Sequence, residues 1–156
     1  MTTEVTHRNV ETNGIRMHLA EAGAGPLVVL CHGFPESWYS WRHQLPALAA
    51  AGFRAVAPDM RGYGGTDRPE AIDQYTLFHL VGDMVGLLDA LGAEQAVIAG
   101  HDWAAPVAWL AALLRQQRGR QFRRRAAQAP NGLGPRSRIL DPHRGPDRRG
   151  DRRQMG

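Results

Sequence analysis

The sequence predicts an α/β domain built on a largely parallel sheet, and three observations carry that expectation. Residues 27–31 and 96–99 are short, wholly apolar and partly β-branched, the signature of strands covered on both faces. Amphipathic stretches of helical period alternate with such runs, most clearly over residues 76–91. Finally, between Gln95 and Ala112 a strand passes directly into a helix, with small residues on either side of the join: Gly100 before it, Ala104 and Ala105 after it.

In order along the chain, residues 5–11 and 15–20 flank Asn13-Gly14, a strong hairpin-turn signal, and read as two antiparallel edge strands. After the loop 21–26, the run 27–31 enters the sheet. Residues 37–51 carry Trp38, Trp41, Leu45 and Leu48 at helical spacing and stop at Gly52, and Pro46 implies a break or a late helix start. Most of these aromatics read as packing; Trp38 is assigned to the substrate side. Residues 53–57 form the next strand. The loop 58–66 that follows is rich in glycine, and Asp59 with Arg61 is expected to form a charge-assisted pair that holds it. In the helix 76–91, Leu77, Leu80, Val81, Met84, Leu87, Leu88 and Leu91 make one stripe, ended by Gly92.

Composition narrows the classes of function. Hydrophobic residues make up 43% of the 156, enough for one ordinary core. The single cysteine, Cys31, lies in an apolar run, which excludes an internal disulfide framework, reads as packing and favours a cytoplasmic location. Residues 1–11 are too polar for a signal peptide, and no apolar run approaches the roughly eighteen residues of a membrane span. Neither a G-x-G-x-x-G nor a Walker pattern opens a helix, so nucleotide binding is not expected. No cofactor and no metal site are expected either.

Charge divides the chain. Residues 1–114 hold 6 arginines against 12 acids, net −6, whereas residues 115–156 hold 13 arginines against 3 acids, net +10. All 19 basic residues are arginine, as a GC-rich coding sequence produces. We therefore expect a folded unit over 1–114 and a disordered basic tail over 115–156, whose proline, glycine and arginine cannot bury enough surface to offset ordering entropy. Arg123, Arg124 and Arg125 have the charge to attract nucleic acid, but with Phe122 as the tail's one aromatic residue no specific recognition is expected.

Three loops lie at the carboxyl ends of predicted strands, where α/β sheets bind ligands. Asp102 stands at the apex of the strand-to-helix join, a position from which a carboxylate, charged at neutral pH, attacks without a base. Aspartate is also a preferred helix N-cap, and that alternative stays open. In His32-Gly33-Phe34-Pro35, Gly33 permits close backbone approach and Pro35 stiffens the turn, so the Phe34 N–H is a candidate half of an oxyanion hole; an ordinary strand-to-helix loop is the other reading.

Together, residues 32–42 (His-Gly-Phe-Pro-Glu-Ser-Trp-Tyr-Ser-Trp-Arg), 59–66 (Asp-Met-Arg-Gly-Tyr-Gly-Gly-Thr) and 100–109 (Gly-His-Asp-Trp-Ala-Ala-Pro-Val-Ala-Trp) closely resemble the α/β-hydrolase-fold epoxide hydrolases, with the likeness running from Val5 to about Leu114. The resemblance implies that fold, truncated after its nucleophile elbow, and a small-molecule epoxide as substrate. Asp102 would be the nucleophile that forms an ester, with the N–H groups of Phe34 and Trp103 as the oxyanion hole and His32, Gly33, Pro35, Gly100 and His101 as motif support. It also implies a cis peptide near Pro35. Haloalkane and fluoroacetate dehalogenases share the aspartate, but Phe34 stands where the former usually carry asparagine or glutamate, and Trp103 where the latter typically carry arginine.

In that family the base histidine, its acidic partner and the lid tyrosines lie beyond the point where this sequence stops. His143, in Asp-Pro-His-Arg-Gly-Pro with no strand before it, is not assigned as the base. The expectation is an incomplete enzyme, its sheet edge exposed to self-association. A reading-frame shift near codon 115 would explain the change of character; translation of the downstream DNA in the other frames tests this, and finding no catalytic histidine there would reject it.

Overall fold

The computed structural model describes residues 3–127. Strand β1 (Thr6–Thr12) and strand β2 (Ile15–Ala22) pair antiparallel, with Thr12 opposite Ile15. Between them Asn13 (φ 45°) and Gly14 (φ 77°) both adopt the left-handed conformation, which matches the twist of a two-residue hairpin. Strand β3 (Leu27–Cys31) follows, then a 3-10 turn at Trp38–Trp41 and helix α1 (Gln44–Ala50). Pro46 sits in the first turn of α1, where a missing N–H costs no helical bond. Strand β4 (Arg54–Pro58), a second 3-10 turn at Ile72–Tyr75, helix α2 (Leu77–Ala90), strand β5 (Ala96–Gly100) and helix α3 (Ala104–Ala127) complete the order. Thr76 caps α2 by accepting the His79 N–H.

The sheet runs β1-β2-β4-β3-β5, with β3 parallel to both β4 and β5. Alternate residues of β3 serve opposite faces. Val29 and Cys31 pack with Val81, Met84 and Leu87 of α2 and Ala104, Val107 and Ala111 of α3. Val28 and Leu30 pack with Leu45 and Ala49 of α1. The Cys31 thiol is fully buried, and burial pushes its pKa up to about 12, so it serves as packing. A crossover through α1 steps from β3 to β4; through α2, on the other face, the chain steps back across β3 to β5.

Two expectations are corrected here. Strand β5 was expected to be covered on both faces, yet it is an exposed edge: β3 is its one partner among the described residues, and Val97 is 59% exposed. Helix α3 runs past Leu114 to Ala127, as the high helix propensity of its Ala, Arg and Gln allows. Arg115, where the basic tail was placed, is tied to Asp89 and donates to the Ala93 carbonyl (2.6 Å). The rest of the proposed tail, residues 128–156, lies outside the described residues.

The second correction concerns Asp59 and Arg61, which do not pair. Arg61 instead forms a two-pronged bond to Asp83 of α2, Nε to Oδ2 at 2.8 Å and Nη2 to Oδ1 at 2.6 Å. Asp83 also accepts from the Asn13 side chain at 2.8 Å, so one carboxylate joins the hairpin turn, the loop after β4 and α2.

Candidate active site

The site is set by the register of two strands. In the β3–β5 ladder Cys31 lies opposite Gly100, so the residues two places on, Gly33 and Asp102, meet beyond the strand ends. A Cβ on Gly33 would stand 2.7 Å from Cβ of Asp102, and one on Gly100 would stand 2.6 Å from the Ala104 carbonyl oxygen. Both positions exclude any larger residue at this packing distance.

Asp102 has φ 51°, inside the left-handed region, a rare and costly conformation for a side-chain-bearing residue. Its Oδ1 accepts the Phe34 N–H at 2.9 Å, and the carboxylate also accepts the N–H of Trp103. An N-cap aspartate instead has extended backbone and accepts from an N–H two or three positions onward. These two donors, Phe34 first, hold the exposed carboxyl below its ordinary range, with His101 adding to the effect. The group is ionised at neutral pH.

The donor loop is fixed in turn. The Phe34–Pro35 peptide is cis, and the Glu36 N–H closes the turn on the Gly33 carbonyl at 3.0 Å. His32 is buried and bridges two loops: Nε2 accepts the Met60 N–H at 2.9 Å, so Nδ1 carries the proton and donates to the Gly33 carbonyl at 2.9 Å. Burial lowers the His32 pKa, against the pull of the Gly33 carbonyl and the Asp59 charge, and the ring stays neutral. On the other side, His101 Nε2 lies 3.0 Å from Glu36 Oε2, and the Trp41 ring meets His101 edge-on. The turn 33–36 is thus held to the strand-to-helix join by the Phe34 N–H bond to Asp102, with Glu36 lying beside His101.

A cavity of about 360 Å³ opens beside this turn, lined chiefly by Phe34, Trp103, Met60, Tyr63, Tyr75 and Leu80. Phe34 and Trp103 are 62% and 68% exposed. The structure therefore brings together Asp102, Phe34, Trp103, His32, Gly33, Pro35, Gly100 and His101. Trp38 is not among the cavity residues: its ring packs with the α1-side core and meets His7 edge-on, and its N–H donates to buried Asp59 at 2.8 Å. The same Asp59 accepts from Gly65 N–H at 2.9 Å and meets His18 Nδ1 at 2.8 Å.

The sequence reading missed the Tyr63, Tyr75 and Leu80 wall and the ties made by Asp83, Glu36 and His18. Leu80 had been counted in a helical stripe, and periodicity does not distinguish a core position from a cavity wall. No group of three or more side chains able to hold a metal ion occurs among the described residues. No helix among them is long and apolar enough to cross a membrane.

A profile of the α/β-hydrolase fold matches residues 26–121. The chain belongs to the α/β-hydrolase fold family. Among similar members, Epoxide hydrolase A of Mycobacterium tuberculosis is 58% identical over 115 residues, covering 72% of this chain and 36% of that protein. Epoxide hydrolase 3 of Siraitia grosvenorii is 55% identical over 115 residues, covering 74% and 36%. The crystal structure of an epoxide hydrolase from Vigna radiata superposes with TM-score 0.71 at 58% identity, covering 73% of this chain and 37% of that one. This α/β-hydrolase chain thus spans about a third of the length of the relatives it matches.

Proposed function

We propose that this chain carries the nucleophile half of an epoxide hydrolase site, with Asp102 as the attacking group. The supporting observation is the convergence of the Phe34 and Trp103 N–H groups on an ionised, exposed Asp102 carboxylate beside an aromatic cavity. A carboxylate oxygen attacks an epoxide carbon, that carbon's bond to the ring oxygen breaks, and the released alkoxide takes a proton from solvent. The product is an ester between Asp102 and a hydroxyalkyl group. Water attack at the ester carbonyl would then release the diol, the two N–H groups stabilising the oxyanion formed on the way.

That second step needs a general base. His32 is not placed for it, since both ring nitrogens are bonded, and His101 faces Glu36. On this reading the described residues form the ester, and neither of these two histidines supplies the base that would release it. Its partner is a small epoxide rather than nucleic acid, and its single buried cysteine fits the cytoplasm. Incubation with styrene oxide followed by intact-mass measurement tests the reading: a gain of one epoxide, absent in Asp102→Asn, is the expected result. Sustained diol release by the isolated chain, or labelling that survives Asp102→Asn, would refute it. Halide release from a haloalkane in place of epoxide labelling would indicate a dehalogenase.

A further inference from the structure

The hairpin sets two histidines beside each other, away from the cavity. In the β1–β2 ladder His7 lies opposite Ala20 and His18 opposite Asn9, so His7 and His18 are diagonal neighbours on one face, a spacing that aromatic rings bridge. His7 Nδ1 stands 3.1 Å from His18 Nε2, and the ring planes are within 9° of parallel. The other nitrogen of His18 is fixed from behind: Nδ1 meets Asp59 Oδ2 at 2.8 Å, the Asp59 side chain being 1% exposed and that of His18 18%. A carboxylate oxygen only accepts, so Nδ1 carries the proton and His18 Nε2 presents its lone pair to His7. Asp59 is held in turn by the N–H groups of Trp38 and Gly65. A Cβ on Gly64 would stand 2.0 Å from Asp59 Oδ2, so glycine at that position lets the loop close around the carboxylate.

In metal sites a carboxylate commonly takes the outer N–H of a ligating histidine, which fixes the tautomer and the direction of the other nitrogen. Asp59 does this for His18, and a second imidazole nitrogen stands next to the one that points outward. Two Zn–N bonds of about 2.0–2.1 Å at a tetrahedral angle separate their nitrogens by about 3.3–3.4 Å, close to the spacing of this pair. Imidazole suits zinc and copper among the divalent ions. The geometry points to a transition-metal site for Zn2+ or Cu2+, with His18 Nε2 and His7 Nδ1 as its protein ligands, Asp59 orienting His18, and water completing the coordination. Binding moves the His7 proton from Nδ1 to Nε2 through solvent and turns that exposed ring until both lone pairs meet the ion. The ion then ties β1 to β2 and, through Asp59, to the loop 58–66, whose Met60 and Tyr63 line the cavity. Nothing in this assignment rests on the role proposed for Asp102.

Calorimetric titration of the full 156-residue chain with Zn2+ tests the site. One ion per chain is expected, and no binding of Mg2+, which takes oxygen ligands. His7 is exposed, so His7→Ala keeps the fold and should lose at least about tenfold in Zn2+ affinity. His43→Ala, outside the pair, and Asp102→Asn should bind like the parent. Nitrogen NMR of the histidine rings should place Zn2+ on His18 Nε2 with the proton kept on Nδ1. Cu2+ gives a second readout: the Trp38 ring meets His7 edge-on, 4.7 Å between centroids, so Cu2+ should quench tryptophan fluorescence by an amount that Trp38→Phe largely removes. The thermal midpoint of the parent should rise with added Zn2+ by mass action, and that of His7→Ala should not. Absence of a one-to-one complex, undiminished affinity in His7→Ala, Zn2+ bound at His18 Nδ1, or Mg2+ bound as tightly as Zn2+ would each overturn the proposal.

Discussion

Replacing Asp83 by alanine should destabilise this protein more than any surface change, and the structure supplies the magnitude. The Arg61 and Asp83 side chains are 1% and 0% exposed, so water cannot replace the lost carboxylate. Arg61 would keep the Asn13 carbonyl and the Gln74 side chain, each at 3.3 Å and neither charged. Two unit charges about 4 Å apart interact by about 4 kcal/mol at an effective dielectric near 20. Breaking a buried pair from one side costs about 3–5 kcal/mol. Against a domain stability of about 5–15 kcal/mol, this is a large share. In urea, with a slope of about 1–3 kcal/mol per molar, the tryptophan-fluorescence midpoint should fall by roughly 1–5 M. The paired replacement Arg61→Met with Asp83→Leu removes both charges and should recover most of the loss. A single-variant loss below about 1 kcal/mol, or a double variant no better than Asp83→Ala, would refute the reasoning.

Further outcomes follow from the same geometry. His32 has a folded-state pKa below its ordinary 6.5, so the unfolded chain binds a proton more readily; stability is full above about 6.5 and falls as pH drops below it, and His32→Gln should flatten that slope in denaturation series at several pH values. Because the Phe34 and Trp103 N–H groups depress the Asp102 pKa, styrene oxide labelling by intact mass should hold its rate as pH is lowered into the ordinary carboxylate range, where an unassisted aspartate would already slow. Gly14→Ala places a side chain at φ 77° with nothing nearby to clash, so its cost in thermal or urea unfolding should be the backbone strain alone, about 1–2 kcal/mol.

Local chemistry made much of this fold legible. Asn13-Gly14 specified the hairpin, Thr76 and Gly92 bounded α2, and the unbroken apolar run of β3 announced a strand covered on both sides. Small residues at Gly100 and Ala104 located the sharp join, because a Cβ on Gly100 would stand 2.6 Å from the Ala104 carbonyl oxygen. Strand β5 was misjudged for a physical reason: its composition records what the segment is suited to bury, not which neighbours are present. The partner of Arg61 was illegible for another. Asp83 lies 22 positions away, on the buried side of a helix whose period marks apolar residues, so only the tertiary approach of α2 reveals the pair. Trp38 illustrates the converse, since an aromatic beside a motif can lend its backbone N–H to the loop while its ring faces elsewhere.

The opposition of Cys31 and Gly100 makes β5 the alignment mechanism of the whole constellation. Sliding that strand by one residue would carry the aspartate about 3.3 Å and turn it to the opposite side. Because one neighbour alone fixes the setting among the described residues, chemical precision at the carboxylate is only as durable as a five-residue ladder, and whatever grips the outer rim of that ladder also sharpens the aim.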